Sequence, residues 1–275
     1  MTAFEVTEPI LPGPAHALGA LLDVPVPGDG VLPLLWHWLY LLDRPAQADL
    51  GPDGHPVRGT VLAPPGPGRR RMWAGGRVRT PGELRCGEPA TRRSEVLAVR
   101  DKEGKTGPLT FVTVAHRITQ AGRVVVDEEQ DIVYRTAASD TGLSPGENTA
   151  ELPPGPHEWP IEVTPTLLFR FSALTYNAHR IHYDRDYSRE IEGYPGLLTH
   201  GPLQAIAMAE AARARGVASR LEFEYRLVSP LFDFQGLVAS SVTEAGETTT
   251  AVRDRSGRRT ATGALRTIRP NRLKR

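Results

Sequence analysis

The chain has 275 residues, 40% hydrophobic and 24% charged, with a net charge of +1. This mix is ample for a hydrophobic core, excludes a disordered chain or a disulfide-dependent mini-fold, and sets up no general field for nucleic acid or an anionic membrane. The 27 glycines and 25 prolines, about a fifth of the chain against a usual ~12%, imply many turns rather than a helix bundle.

Taken in chain order, residues 15–22 and 34–42 read as short helices. The second contains WHWLYLL, apolar nearly all round as a buried helix is. A glycine-rich passage follows, with LGPDGHP and RRRMWAGG. Residues 94–100, 109–117 and 123–135 then read as strands, joined by DKEGKTG and TQAG, which suit hairpin connections. Residues 138–160, ASDTGLSPGENTAELPPGPHEWP, lack apolar periodicity and read as a linker. Beyond it, residues 166–172 look extended and residues 173–192 look polar and irregular. Residues 203–215 form a strong Ala-rich helix with Pro202 at its mouth and Gly216 after it. Four strands close the chain, at 221–227, 234–243, 248–254 and 258–268. The first alternates Leu221, Phe223, Tyr225 and Leu227 against Glu222, Glu224 and Arg226.

Each half is therefore helix, then antiparallel meander. One buried helix wrapped by a curled sheet is the hot-dog plan. The expected fold is α+β, a double hot dog, with residues 1–137 and 161–275 as the halves.

The one cysteine, Cys86, rules out an internal disulfide and any cysteine-based zinc site. No Lys or Arg precedes Arg44, so the start lacks the basic character of a signal peptide. The apolar run 31–42 is interrupted by Pro33 and His37 and is too short to span a bilayer. These features lead to the expectation of a soluble cytoplasmic protein.

The densest chemistry is FRFSALTYNAHRIHYDRDYSREIEGYPGLLTHGPL, residues 169–203. It packs Asn177, His179, Arg180, His182, Tyr183, Asp184 and His200 into an irregular segment that closes on Gly201 and Pro202. Loops on a rigid scaffold are where catalytic groups concentrate. A metal reading of His179, His182, Asp184 and Asp186 is weak, because HxxH in a turn lacks a supporting ligand. Upstream, Trp36, His37, Trp38 and Tyr40 either line a binding tunnel or fill the core. Arg69, Arg70, Arg71 and Trp73 either meet a phosphate or carboxylate of a ligand, which arginine forks suit, or are solvated. The nine basic residues from Arg253 onward read as a solvated edge and a frayed end. The absence of GxxxxGK[ST], GxSxG, HExxH and CxxC removes the phosphate-loop, serine-hydrolase, zinc-protease and dithiol readings.

FSALTYNAHRIHYD followed by YPGLLTHGPL resembles the MaoC-like (R)-specific enoyl-CoA hydratases and dehydratases. Their motif runs Asp-x-Asn-Pro-x-His, with a His-Gly pair opening the hot-dog helix. LPLLWHWLY, LGPDGHP, RRRMWAGG and EEQDIVYR resemble a two-domain branch of that family, which holds the itaconyl-CoA and mesaconyl-CoA hydratases and the mitochondrial type 2 hydroxyacyl-thioester dehydratase. The resemblance implies that His182 moves the proton, that Asn177 stands where the older family has Asp, and that the Gly201 amide opens the helix. It implies no metal and no cofactor beyond the CoA carried by the substrate.

Asn cannot titrate, so His182 must serve as both base and acid or borrow a neighbour such as His179. Asn177 then orients water through its amide. Backbone N–H groups at the helix mouth stabilise an enolate-like thioester oxygen. The resemblance points to a branched C5 dicarboxyl thioester, itaconyl-CoA or mesaconyl-CoA, whose free carboxylate needs a cation. Arg180 and Arg71 are the candidates, with His179, Tyr183, Trp73 and Trp36 as further substrate contacts. The N-terminal half has no counterpart of Asn-x-His-x-x-His, so the expectation is that it serves as lid and acyl-pocket wall.

Three other readings stay open: a dehydratase of linear 3-hydroxyacyl thioesters, a thioesterase using Glu210, and a non-catalytic acyl-thioester binder. Both a monomer and a homodimer satisfy the expected sheet edges, and no nucleic-acid or membrane partner is expected.

Overall fold

The structure, a computed structural model, describes residues 3–58, 60–62, 68–104, 107–136, 150–217 and 220–268. Strand β1 (Phe4–Pro9) leads into helix α1 (Pro12–Leu22), and then come β2 (Arg69–Arg79), β3 (Pro89–Gly104), β4 (Gly107–Gln120) and β5 (Arg123–Thr136). The second half repeats the pattern with β6 (Glu158–Ile161), α2 (Pro165–Leu174), α3 (Gly201–Arg213), β7 (Leu221–Leu227), β8 (Leu237–Glu244), β9 (Glu247–Arg253) and β10 (Arg259–Thr267).

The described strands make one antiparallel sheet in the order β1-β3-β4-β5-β2-β7-β10-β9-β8-β6. Counted from its own outer edge, each half has the order first, third, fourth, fifth, second. This shared order carries the duplication that the two similar halves of the sequence suggest, and the fold is the α+β double hot dog. The halves meet through β2 and β7, in register from Gly75↔Arg226 to Arg79↔Glu222. A Cβ on Gly75 would lie 2.3 Å from the Tyr225 carbonyl oxygen; a residue without a side chain lets the two strands close here.

Helix α3 packs on β8, β9 and β10 and is buried from Leu203 through Ala212. Its alanines let the sheet approach closely, while Leu203, Ile206 and Met208, all at 0% exposure, each contribute roughly 1.5–3 kcal/mol by leaving water. One core spans both halves, joining Leu18, Trp36 and Leu41 to Leu203, Met208 and Phe223.

Several expectations are corrected. Residues 34–42 form one 3-10 turn, Trp36–Leu39, between Leu35 and Leu41, which both have positive φ. The polar ends of its side chains reach different elements: Trp36 to Glu210, His37 and Trp38 to Glu128, Tyr40 to the Leu11 carbonyl. A regular helix cannot aim them so widely. Residues 166–172 are helical, within α2, because Thr164 caps the Leu167 N–H at 3.1 Å and Pro165 opens the first turn. The passage RRRMWAGG is a central strand. Of the expected linker, residues 138–149 lie outside the described residues, and residues 158–160 belong to β6, paired with β8. The basic stretch from Arg253 is partly ion-paired, Arg253 with Glu158, Arg258 with Asp254 and Arg266 with Glu247; residues 269–275 lie outside the described residues. Among the described residues no helix is long and apolar enough to cross a membrane.

Candidate active site

A cavity of about 1020 Å³ is lined by residues of both halves. Its chemistry begins where α2 ends. The chain turns through Tyr176, whose φ is 51°, and the Asn177 N–H donates to the Ser172 carbonyl at 2.8 Å. The Asn177 side-chain oxygen accepts the His179 N–H at 3.0 Å, which leaves the amide NH₂ as its other polar end. The 3-10 turn Arg180–His182 follows and brings His182 under the mouth of α3.

His182 Nδ1 lies 2.7 Å from the Leu198 carbonyl oxygen. A carbonyl only accepts, so Nδ1 carries the hydrogen and Nε2 keeps its lone pair. The ring stacks on His200 with centroids 3.7 Å apart and planes 19° apart. His200 in turn bonds Ser172 Oγ through Nε2 at 2.8 Å. Burial pulls His182 down to about 4, with the Leu198 hydrogen bond opposing and His55 adding to the fall. Burial also holds His179 and His200 well below the ordinary imidazole value. The imidazoles are therefore neutral near pH 7. Gly201 begins α3, so its N–H has no intrahelical acceptor, and Pro202 has none to offer.

The N-terminal half, expected to serve as lid and pocket wall, also brings titratable groups to this cluster. Asp53 and His55, from LGPDGHP, line the same cavity. His55 Nδ1 lies 2.9 Å from Asp53 Oδ2, and the His55 backbone N–H donates to Asp53 Oδ1 at 2.9 Å. The His55 ring lies on His179 with centroids 3.9 Å apart, and His179 meets His182 edge-on at 5.4 Å. The loop is locked to the segment that carries Asn177, His179 and His182. The Arg180 N–H donates to the Asp53 carbonyl at 2.9 Å, and Gly54, at φ +86°, faces Ala178 so closely that a Cβ would lie 1.8 Å from its carbonyl oxygen. Burial would raise the Asp53 carboxyl, but the hydrogen bonds from His55 more than offset it and hold it below the usual range. His55 is lowered, chiefly by burial, against the pull of Asp53. Asp53, His55 and His179 bring ligand-type atoms within 4.8 Å of one another. Two of the three groups, Asp53 and His55, are hydrogen-bonded to each other.

Of the expected substrate contacts, Arg71, Trp73, His179 and Tyr183 line the cavity. Arg71 bonds the Tyr134 hydroxyl, lies near Asp53, and has its pKa lowered by burial. Among the described residues no carboxylate pairs with it, whereas its neighbour Arg70 pairs with Glu192 at 2.6 Å. Trp73 Nε1 donates to the Tyr225 hydroxyl at 3.0 Å. Tyr183 is half exposed and donates to the Ala178 carbonyl at 2.9 Å.

Arg180 and Trp36 stand apart from the cavity. Arg180 is held by Asp184, at 2.7 and 3.0 Å, and by the Pro52 carbonyl, and it covers the Tyr187 ring. Trp36 is 0% exposed, donating to Glu210 at 2.9 Å. Glu210 also pairs with Arg213 and does not line the cavity, which removes the feature on which a thioesterase reading rests.

A second polar cluster, Glu128 with His37, Trp38 and Gln130, lines the cavity on the N-terminal side. Burial would raise the Glu128 carboxyl, yet the hydrogen bond from His37, together with His116 and Gln130, holds it at about 2.

The sequence matches the family of hydroxyacyl-thioester dehydratase type 2 over residues 35–233. It is 45% identical over 234 residues to the mesaconyl-C(4)-CoA hydratase of Chloroflexus aurantiacus, covering 83% of this chain and 82% of that protein. The crystal structure of HtdX from Mycobacterium tuberculosis superimposes over 97% of this chain and 100% of that one, with a TM-score of 0.70 at 15% identity. A second M. tuberculosis structure, described as a double hotdog fold, covers 96% of this chain and 94% of its own, with a TM-score of 0.56 at 16% identity. The family match over most of the chain, joined to a thioester-sized cavity with neutral imidazoles at a helix mouth, makes this chain a member of the hydroxyacyl-thioester dehydratase type 2 family, and so a hydro-lyase.

Proposed function

We propose that the enzyme adds water reversibly across the α,β-double bond of a branched five-carbon dicarboxyl CoA thioester, mesaconyl-CoA or itaconyl-CoA. Arg71 carries the reading. It is a cation on the cavity wall beside the imidazoles; among the described residues it makes no ion pair at salt-bridge distance, and the Asp53 carboxylate acts on it only from farther off. In a mesaconyl C(4) thioester the β-carbon bears a free carboxylate. An arginine fork suits that group and brings the β-carbon to the imidazoles. The hydratase named for mesaconyl-C(4)-CoA, aligned over most of both chains, supports the same substrate class.

His182 Nε2 takes the proton from water as the oxygen bonds the β-carbon. The π electrons move onto the thioester oxygen, where the Gly201 N–H stabilises the charge. The Asn177 NH₂ donates to the water oxygen and sets its line of attack. Collapse of the enolate with protonation at the α-carbon completes the addition.

A second reading is a dehydratase of linear 3-hydroxyacyl thioesters. An apolar wall of Met72, Val114 and Ile132 along the cavity favours it.

Hydration of mesaconyl-C(4)-CoA, itaconyl-CoA and crotonyl-CoA, followed by loss of enoyl absorbance and by product mass, separates the readings. Arg71→Met should raise KM for the dicarboxyl substrate by about 30-fold or more, the scale of removing one partner of a desolvated charge pair, and leave crotonyl-CoA nearly unchanged. Turnover of crotonyl-CoA alone would move the substrate to linear chains. An Arg71→Met enzyme that handles all three substrates like the wild type would refute the carboxylate reading.

A further inference from the structure

We propose that Asp53 and His55 form a second acid–base pair of this active site, in which His55 exchanges a proton with the substrate α-carbon and Asp53 holds the counter-charge. The proposal rests on hydration at this site and assigns the half of the chemistry that His182 leaves unserved.

Adding water moves protons at two places: one leaves the water oxygen and one arrives at the α-carbon. Asn177 does not titrate, and its side-chain oxygen is already occupied by the His179 N–H. His182 commits Nδ1 to the Leu198 carbonyl and has one nitrogen for chemistry. His200 is 1% exposed beneath His182 and bonded to Ser172. Of the four contiguous imidazoles, His55 alone has a hydrogen-bonded carboxylate among the described residues, at 2.9 Å. A carboxylate behind an imidazole fixes its tautomer and stabilises the imidazolium that forms. Here it leaves Nε2 as the reactive nitrogen of His55, on a residue that lines the same cavity as His182.

The charged and titratable groups around His55 are Asp53 on its own loop, Arg71 on β2, and His179 and His182 on the catalytic segment. Burial and Arg71 disfavour its protonated form, and Asp53 favours it. Burial outweighs Asp53, so His55 rests neutral near pH 7, and the Asp53 carboxylate is what keeps its imidazolium accessible to the reaction.

In hydration, His182 Nε2 accepts the water proton while the C–O bond forms and the double-bond pair moves to the thioester oxygen. The His55 imidazolium then gives its Nε2 proton to the α-carbon as the carbonyl reforms. Solvent returns the proton from His182 to His55 after product leaves. In dehydration each transfer reverses, with neutral His55 as base at the α-carbon and protonated His182 as acid at the leaving hydroxyl.

The test measures kcat, KM and the pH profile of the full chain for hydration, and dehydration of an α-deuterated 3-hydroxyacyl-CoA. His55→Gln should lower kcat by about 100-fold or more, the scale of a lost general acid or base, with KM little changed. It should also enlarge the α-deuterium isotope effect on dehydration. Asp53→Asn, nearly isosteric, should lower kcat and move the alkaline limb of hydration to lower pH, since the carboxylate no longer holds the proton on His55. Both variants keeping wild-type kcat and pH profile would overturn the proposal. So would a loss of kcat that tracks a lowered Tm with the pH profile and isotope effect unmoved, which marks a structural role. A wild type with no turnover would overturn the reaction itself, an outcome distinct from an active wild type with indifferent variants.

Discussion

Gly54→Ala concentrates the logic of the two-sided site in one methyl group. Gly54 sits at φ +86°, and a Cβ there would lie 1.8 Å from the Ala178 carbonyl oxygen and 2.7 Å from its carbonyl carbon. Both are backbone atoms, so no side-chain rotation relieves the clash. The loop must withdraw from the catalytic segment by about 1.5 Å to restore ordinary contact. That movement pulls Asp53 and His55 away from His179 and strains the hydrogen bond from the Arg180 N–H to the Asp53 carbonyl. The left-handed backbone costs an alanine about 1–2 kcal/mol more than a glycine, which lowers Tm by roughly 2–8 °C for a chain of this size. The catalytic cost is larger: a 1 Å misplacement of reacting groups is worth about 100-fold. The assay follows loss of enoyl absorbance at a temperature where circular dichroism shows the variant fully folded. A Gly54→Ala enzyme with kcat within about twofold of wild type would show that the loop's position does not matter to the chemistry.

Four further outcomes follow from the geometry. His182→Ala should lower kcat by about 10²–10⁴-fold while thioester binding, read by calorimetry, persists. In the wild type the acid limb of hydration should fall near pH 4, because burial keeps His182 neutral down to about that value. Glu128 contributes stability above its ordinary pKa of 4.5 that is lost as pH falls toward about 2, about 3 kcal/mol in all. Urea unfolding at pH 7, 5 and 3 should show this loss in wild type and a much flatter dependence in Glu128→Gln. Trp36→Phe removes a donor from buried Glu210 and should cost about 1–3 kcal/mol. Its kcat should stay at the wild-type value, and a selective loss of activity would return Trp36 to the cavity wall.

The parts of the site legible in the sequence are those contiguous along it. Asn177, His182 and Gly201 lie within one run dense in chemistry-bearing residue types, and the resemblance to the MaoC-like enzymes is what singles those three out. Asp53 and His55 sit more than a hundred residues away, and only the packing of Gly54 on Ala178 makes them neighbours of His179. An Asp and a His flanking a glycine within a turn-rich passage was the available sign. The same blindness to direction misplaces Trp36: a stripe of aromatics reports burial but not whether the buried face meets a cavity or a glutamate. Arg180 looked suited to a carboxylate, and it found one within its own turn, Asp184. Strand β2 hid behind three arginines and two glycines, since its side chains serve the cavity and its glycines serve the seam. Helix α2 was marked by Thr164 and Pro165, a capping signal that its short apolar run obscured. The strands of both meanders stood out because a sheet with one buried face writes its alternation into the chain.

The seam between β2 and β7 divides labour as well as the sheet. The segment from Asn177 to Gly201 belongs to one copy of the duplicated unit, while Arg71 and the Asp53–His55 loop belong to the other. On the proposed reading, the segment from Asn177 to Gly201 activates water, while the other copy supplies both the Arg71 contact to the acyl group and the Asp53–His55 pair. The two can drift separately so long as Gly75 keeps the strands in register.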